Sequence, residues 1–265
     1  MYTIYKGEDY QKYGVNMPDR KQNPLRVDRI EPQQCSDDRR LEVLSRTPFF
    51  AGLNRAELTR INGFFQEEGY EAGETIYFTG DPARRLYVVA AGKVKVTRHS
   101  LSGQDVVLAI LTPGDFFGSL SILGDAAYAD TVQAQTQVCV LGVDAQAFQT
   151  ILLNHPAAAV AALQETAQRL QAAHETIRQL SALPVERRIA AILLALGHKL
   201  GEKSSEGLLL QVPLSRQELA DMAGATVETA SRVISKLEQG GMVRSGRQWI
   251  AITDSERLAA LAQES

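Results

Sequence analysis

The chain has 265 residues, 45% of them hydrophobic and 22% charged, which suits one large or two ordinary domains with real cores. Its net charge of −3 advertises neither a polyanionic partner nor a membrane surface. No apolar run approaches the roughly 18 residues of a membrane span and the first residues do not read as a signal peptide, so a cytoplasmic protein without membrane contact is expected.

Residues 1–40 are polar, carry Pro18, Pro24 and Pro32, mix both charge signs and show no sustained period. They read as a disordered or loosely wrapped arm. A domain is expected over residues 41–155. Leu41, Val43, Leu44, Phe49, Phe50 and Leu53 open it, and Asn54 with Glu57 three residues on reads as a helix start. Short β-branched runs follow at Leu86–Ala91, Lys93–Thr97, Val106–Leu111 and Val138–Val143. Glycine turns such as Gly73, Gly80, Gly92, Ser102–Gly103–Gln104 and Pro113–Gly114–Asp115 separate them. Turn signals this frequent between strands predict an antiparallel β-roll rather than alternating strands and helices. The fold class is therefore α+β.

Residues 156–183 are expected to form one long helix opened by Pro156, which suits a first-turn position. Val160, Leu163, Ala167, Leu170, His174 and Ile177 recur at alternating three- and four-residue steps. That narrow stripe is the pattern of a two-chain seam, and it predicts a homodimer. A last domain spans residues 184–265. Its charges balance, so any DNA contact there must come from local placement.

The window Ser215–Leu237 is the most informative. Ser215–Arg216–Gln217–Glu218 has the form of a capping box, so a helix should start at Arg216. Small Ala220 sits where two helices must approach closely, and Gly224 where the turn needs a positive φ. Leu219, Ala223, Ala225, Ala230 and Val233 fall at inward positions. A second helix should begin after the cap residue Thr226, and Ser215, Arg216 and Thr226 at the two helix starts are further candidate DNA contacts. This is the pattern of a helix-turn-helix, and Val227, Glu228, Ser231 and Arg232 stand where base edges are read. Arg232 can donate twice to guanine, Glu228 can accept from an amino group, and Val227 can meet a thymine methyl. Unbound, Glu228 and Arg232 are expected to pair with each other. Residues 242–252 read as a β-hairpin wing that carries Arg244 and Arg247 towards phosphates.

Roll, seam helix and winged helix-turn-helix in this order resemble the cyclic-AMP receptor protein/FNR family of bacterial transcription regulators. Tyr87–Val96, Pro113–Gly118 and Leu214–Ala220 carry the likeness, which covers about residues 41–255. Thr226–Arg232 is similar to the FNR recognition helix; the cyclic-AMP receptor type has an arginine where Val227 stands. The resemblance implies a palindromic operator with TTGAT-like half-sites, RNA polymerase as a partner, and a regulator rather than an enzyme. It also implies a cyclic-nucleotide cassette, which this chain does not keep. Gly118–Ser119–Leu120 has serine where the ribose-binding glutamate belongs, and Tyr128–Ala129–Asp130–Thr131 has tyrosine for the phosphate-binding arginine. With no cation and an added carboxylate at Asp130, a bound phosphate lacks its main stabilisation. Control by cyclic AMP is therefore not expected, and the effector is unidentified or absent.

Two cysteines, Cys35 and Cys139, are too few for a disulfide framework or for the four thiolates of an iron–sulfur or zinc site. Neither a metal nor any other cofactor is predicted. Three other readings stay open. One is a cyclic-nucleotide response through the altered cassette. Another is a haem or proton switch at His174, which otherwise is an interface histidine. The third is an exposed redox thiol at Cys35, with Cys139 a small core residue. A cupin-like enzyme would need clustered histidines, and the four present, His99, His155, His174 and His198, are scattered.

Overall fold

The computed structural model describes residues 35–99, 105–119 and 127–263. Most of the amino-terminal arm, the turn at Ser102–Gln104 and Leu120 lie outside them. Helix α1 (Asp37–Arg46) opens on Ser36, whose side chain accepts from the Arg39 N–H. Helix α2 (Arg55–Asn62) opens on the reciprocal Asn54–Glu57 capping box. The folded part thus begins before residue 41, because α1 crosses that boundary and Cys35 is already buried.

Eight strands follow: β1 (Gln66–Tyr70), β2 (Thr75–Tyr77), β3 (Arg85–Ala91), β4 (Val94–His99), β5 (Asp105–Leu111), β6 (Phe116–Gly118), β7 (Thr131–Ala134) and β8 (Val138–Asp144). They form two four-stranded sheets, ordered β1-β8-β3-β6 and β2-β7-β4-β5, with every neighbouring pair antiparallel. Strand β3 shows why its sequence scarcely alternates. Leu86, Val88 and Ala90 face a core shared with Leu44, Phe50, Ile61, Phe148 and Ile151 of the flanking helices. Tyr87 and Val89 face a second core, between the sheets, with Tyr77, Val94, Val132 and Val140. Both faces of the strand are covered, so period two survives only as a choice between two apolar partners.

Cys139 of β8 faces the helix-side core and is joined to Cys35 by a disulfide across 104 residues of sequence. The expectation of an exposed Cys35 thiol is corrected here. Cys35 is 7% exposed, and its N–H donates to Glu67 Oε1 at 2.8 Å. Glu67 also lies 3.5 Å from the Arg40 guanidinium. One cross-link needs only two cysteines, and a count that excludes a framework does not exclude it.

Helix α3 (Ala145–Asn154) leads through His155 into α4 (Pro156–Ala182), with Pro156 in its first turn. His155 makes no side-chain cap bond; its Nδ1 lies 3.7 Å from the Glu57 carboxylate. Val160, Leu163, Leu170 and Ile177 of the stripe are each more than half exposed, and Ala167 and His174 are exposed beside them. Among the described residues, no helix is long and apolar enough to cross a membrane.

The last domain comprises α5 (Val185–Leu200), β9 (Gly201–Ser204), β10 (Gly207–Leu210), α6 (Arg216–Ala223), α7 (Val227–Gln239), β11 (Val243–Gly246), β12 (Trp249–Ile252) and α8 (Ser255–Gln263). Its sheet runs β11-β12-β10-β9. Residues 202–206 are all polar and Gly207 follows them. In the fold this segment spans two strands and a tight turn in which Gly207 takes φ 113°.

The two domains touch. Ile110 of β5 belongs to the core of the last domain, with Leu219, Ala220 and Ile189. Lys95 Nζ of β4 lies 2.8 Å from Glu218 Oε1 of α6, and Gln135 Nε2 donates to the same oxygen at 3.1 Å. Lys199 of α5 pairs with Asp115 before β6 at 2.6 Å.

Candidate nucleic-acid interface and effector pocket

The helix-turn-helix is built as its residue types require. Ser215 Oγ accepts from the Glu218 N–H, and the Glu218 carboxylate returns a bond to the Ser215 N–H. Gly224 turns the chain at φ 57°, ψ 48°, a left-handed conformation that costs glycine little. A Cβ there would also lie 3.1 Å from Leu180 Cδ2 of α4. Leu219, Ala220, Ala223 and Ala230 are fully buried, while Ala225 and Val233 pack at the edge of the same core. Thr226 then caps α7 by accepting from the Thr229 N–H at 3.2 Å.

At the start of α7, Glu228 and Arg232 are exposed, and Val227 and Ser231 are half-buried. The expected Glu228–Arg232 pair is corrected. Among the described residues neither side chain has an ion pair, and both carry their charge into solvent. An i,i+4 pair is worth only a few tenths of a kcal/mol, too little to order two long side chains.

The other expected DNA contacts divide. Arg247 is exposed at the wing turn, beside Gln248, which takes φ 61°. Arg244 is half-exposed and pairs with Glu206 of the β9–β10 turn at 2.8 Å. Arg216 points inward and donates to Ser245 Oγ at 2.6 Å. Burial pulls its guanidinium below its usual range, with Glu238 opposing. Its visible work is to tie α6 to the wing. Ser215 lines a cleft of about 500 Å³ against the roll, with Gln217 and Gln248 on its side and Phe78, Lys95 and Gln133 opposite.

The cassette region is filled by aromatic rings. Tyr128 is buried and stacks on Tyr77 with centroids 3.7 Å apart and planes 16° off parallel. Its hydroxyl donates to the Arg85 carbonyl at 2.9 Å and accepts from the Arg85 N–H at 3.0 Å. Tyr77 donates to Asp130 Oδ1 at 3.1 Å. Burial, reinforced by Asp130, raises the Tyr77 phenol well above its usual range, and burial raises that of Tyr128. These hydroxyls stay neutral and cannot take an arginine's part towards phosphate. Thr131 Oγ1 accepts from the Thr79 N–H at 3.0 Å, and Ala129 is exposed, its carbonyl accepting from Arg98 Nε at 3.1 Å. Gly118 takes φ 88°, where a Cβ would come 2.8 Å from the Arg85 carbonyl; Ser119 follows it, half-buried.

The sequence places no cation at the cassette, yet Arg98 of β4 reaches it through the Ala129 carbonyl, and a second distant contact lies on the helix side of β6, where Phe116 packs. Arg169 of α4 sets its guanidinium 3.5 Å from the centroid of the Phe116 ring and donates to the Phe116 carbonyl at 3.1 Å. Phe116 and Arg169 are 53 residues apart, so no local spacing announces the contact. Glu218 is the other residue the sequence undervalued. Burial pushes its carboxyl up, but bonds from Lys95 and Ser215 outweigh that and hold it below the usual carboxylate range. Its capping role was legible, its grip on the roll was not.

Among the described residues, one group of potential metal ligands lies within mutual reach: Cys35, Glu67 and Cys139. With both sulfurs in one bond it offers a single carboxylate, which does not make a metal site. His174 stands exposed on α4, away from that group.

Comparison with known proteins divides the chain the same way. A cyclic nucleotide-binding domain model matches residues 67–155 and a Crp-like helix-turn-helix domain model matches residues 187–261. The "Cyclic AMP receptor protein" of Thermus thermophilus is 31% identical over 216 residues, covering 82% of this chain and 97% of that protein. A "CRP-like cAMP-activated global transcriptional regulator" of Mycobacterium tuberculosis is 28% identical over 222 residues, covering 84% of this chain and 99% of the relative. Among solved structures, FixK2 from Bradyrhizobium japonicum superposes with a TM-score of 0.67 at 26% identity, covering 76% of this chain and 98% of that one.

Proposed function

This chain belongs to the cyclic-AMP receptor protein/FNR family of DNA-binding transcription regulators, and from that premise we propose that it works as a cytoplasmic homodimer on an inverted repeat of TTGAT-like half-sites, without control by cyclic AMP. The observation that carries the reading is the start of α7, where Glu228 and Arg232 stand exposed and, among the described residues, without an ion pair, on a helix fixed by Gly224 and Thr226. The exposed stripe of α4 supports the dimer, since two copies give the two-fold interface a palindrome needs. RNA polymerase is the expected partner at the promoter, and no catalytic step is assigned to the chain. The aromatic filling of the cassette speaks against a cyclic nucleotide, because the buried, stacked Tyr128 occupies the position where the family resemblance puts a phosphate-binding arginine.

A gel shift on a TTGAT-type inverted repeat, with and without cyclic AMP, tests both halves together. Binding that is equal in the two conditions supports the reading. Binding that requires the nucleotide overturns the effector half, and no binding to the repeat overturns the operator.

One observation favours a second reading, a redox-responsive member of the family. A disulfide is unusual in the cytoplasm, where persisting bonds are commonly redox-sensing or catalytic, and Cys35–Cys139 is one. Reduction by a dithiol would deliver two electrons and two protons and leave two thiols. If dithiothreitol changes operator affinity, and Cys139→Ser no longer responds to it, the redox reading displaces that of an effector-free regulator.

A further inference from the structure

The two cysteines belong to the helix-side core of the roll, not to the core that holds Tyr128, and they have a third neighbour there. On β1, Glu67 stands opposite Leu141 of β8 and Gly69 opposite Cys139. Glu67 and Cys139 are therefore diagonal neighbours on one face, and Gly69 puts no side chain between them. One sulfur from each cysteine and a Glu67 oxygen all lie within 4.8 Å of one another.

The carboxylate is held in place from behind. Its Oε1 accepts from the Cys35 N–H at 2.8 Å, and its Oε2 lies 3.5 Å from the Arg40 guanidinium. Arg40 is pinned in turn, donating to Asn62 Oδ1 at 2.8 Å and to the Phe65 carbonyl at 2.9 Å. Outer partners of this kind orient carboxylates that ligate metals. The disulfide masks the two other donors, but a disulfide seldom persists in the cytoplasm. Opened by two electrons and two protons, it leaves two buried thiols beside Glu67.

We propose that the reduced form of this group binds a zinc ion through the sulfurs of Cys35 and Cys139 and one oxygen of Glu67, with water as the fourth ligand. Thiolate donors select zinc over the hard cations, and three protein ligands with a water are a common zinc set. Charge closes as well. Two thiolates balance the ion, as Arg40 already balances Glu67, so the buried site stays neutral. Two zinc–sulfur bonds of about 2.3 Å at the tetrahedral angle set the sulfurs about 3.8 Å apart. The two Cα atoms are 6.8 Å apart, at the wide end of what a disulfide spans, so side-chain rotation alone opens that distance. The ion then does what the covalent bond did: Cys35, just ahead of α1, stays tied to β8 in a reducing compartment. This deepens the redox reading in one respect only, that the bond opens. It needs neither DNA binding nor any effect of reduction upon it.

The experiment uses the full chain reduced with a water-soluble phosphine. The phosphine supplies the two electrons and becomes its oxide, and water supplies the oxygen and both protons. Zinc titrated against a chromogenic chelator should occupy one site per chain that the disulfide form lacks. Binding should release about two protons from the thiols and raise the melting temperature of the reduced protein. Cobalt(II) in place of zinc should show thiolate charge-transfer absorption. Glu67→Gln, which can still accept from the Cys35 N–H, should weaken zinc by more than about tenfold. Cys139→Ser should abolish the charge-transfer band; should that variant fail to fold, the reduced and disulfide forms of the unaltered chain still decide. No added site on reduction, a cobalt spectrum without a thiolate band, or a phosphine-treated chain without two free thiols overturns the site. Undiminished affinity in Glu67→Gln removes the carboxylate from it. Zinc uptake with operator affinity unchanged by reduction would count against the redox reading of function and leave the metal site standing.

Discussion

Arg232 and Arg247 are both exposed arginines of one domain, yet they should behave differently. Arg232, one turn inside α7, can reach a guanine edge, a contact worth roughly 1–3 kcal/mol of discrimination. Arg232→Ala should cost that much per half-site on the operator and little on unrelated DNA. Arg247→Ala should weaken all sequences alike and lower the salt slope by about one. Titrations of both variants on the operator and on a guanine-substituted operator decide the matter. Equal losses on the two DNAs for Arg232→Ala would make it a backbone contact. Residue types at fixed spacing made the two helices and the turn of the helix-turn-helix readable, because cap and glycine positions follow from local backbone geometry. The partners of Arg216 and Arg244 were not readable. Ser245 is 29 residues from Arg216, and only the folded wing brings them together.

At the scale of elements, the helix starts were the most legible feature. The boxes at Asn54 and Ser215 are written in four consecutive residues, and both form. Helix α1 was missed because Ser36 and its acidic first turn are embedded in polar sequence that otherwise lacks an apolar period. The α4 stripe was legible as a pattern, and its exposure is what an unpartnered seam requires. Replacing Leu163 and Leu170 together by Glu places charge along that seam. The variant should be monomeric by sedimentation and should lose operator binding, with α4 still helical by circular dichroism. A dimer of unchanged affinity would remove the seam from this face. Gly224→Ala tests the turn between α6 and α7. The left-handed backbone alone costs roughly 1–2 kcal/mol for a side-chain-bearing residue, so a loss of unfolding free energy of that size is expected, read as a lower denaturation midpoint.

For the whole molecule, the contact between domains was invisible in the sequence, since Lys95 and Glu218 are 123 residues apart. In a helix-turn-helix the first helix crosses the DNA backbone, and here the start of α6 faces the roll. Lys95→Ala should loosen that hold and raise operator affinity by about tenfold, the equivalent of a charged hydrogen bond of about 1.5 kcal/mol. A lower affinity would mean that the contact supports the DNA-competent arrangement instead. The same pair has a pH signature. The Glu218 carboxyl is held below its usual range, so its contribution is complete above an unfolded pKa of about 4.3. It is lost as pH falls through the lowered folded value. Glu218→Gln, which can keep the capping box, should flatten that acid-side loss in melting experiments. The disulfide acts at this scale too, because it closes the stretch from Cys35 to Cys139 into a ring. A chain-entropy estimate for about 100 residues gives up to about 4.7 kcal/mol. Geometrically, a ring must be cut twice before a piece can leave. A single peptide-bond cleavage between Cys35 and Cys139 keeps both fragments on one covalent body until a reductant is added. The roll can therefore be nicked without being divided, and the tie that outlasts the cut is made of sulfur, not peptide.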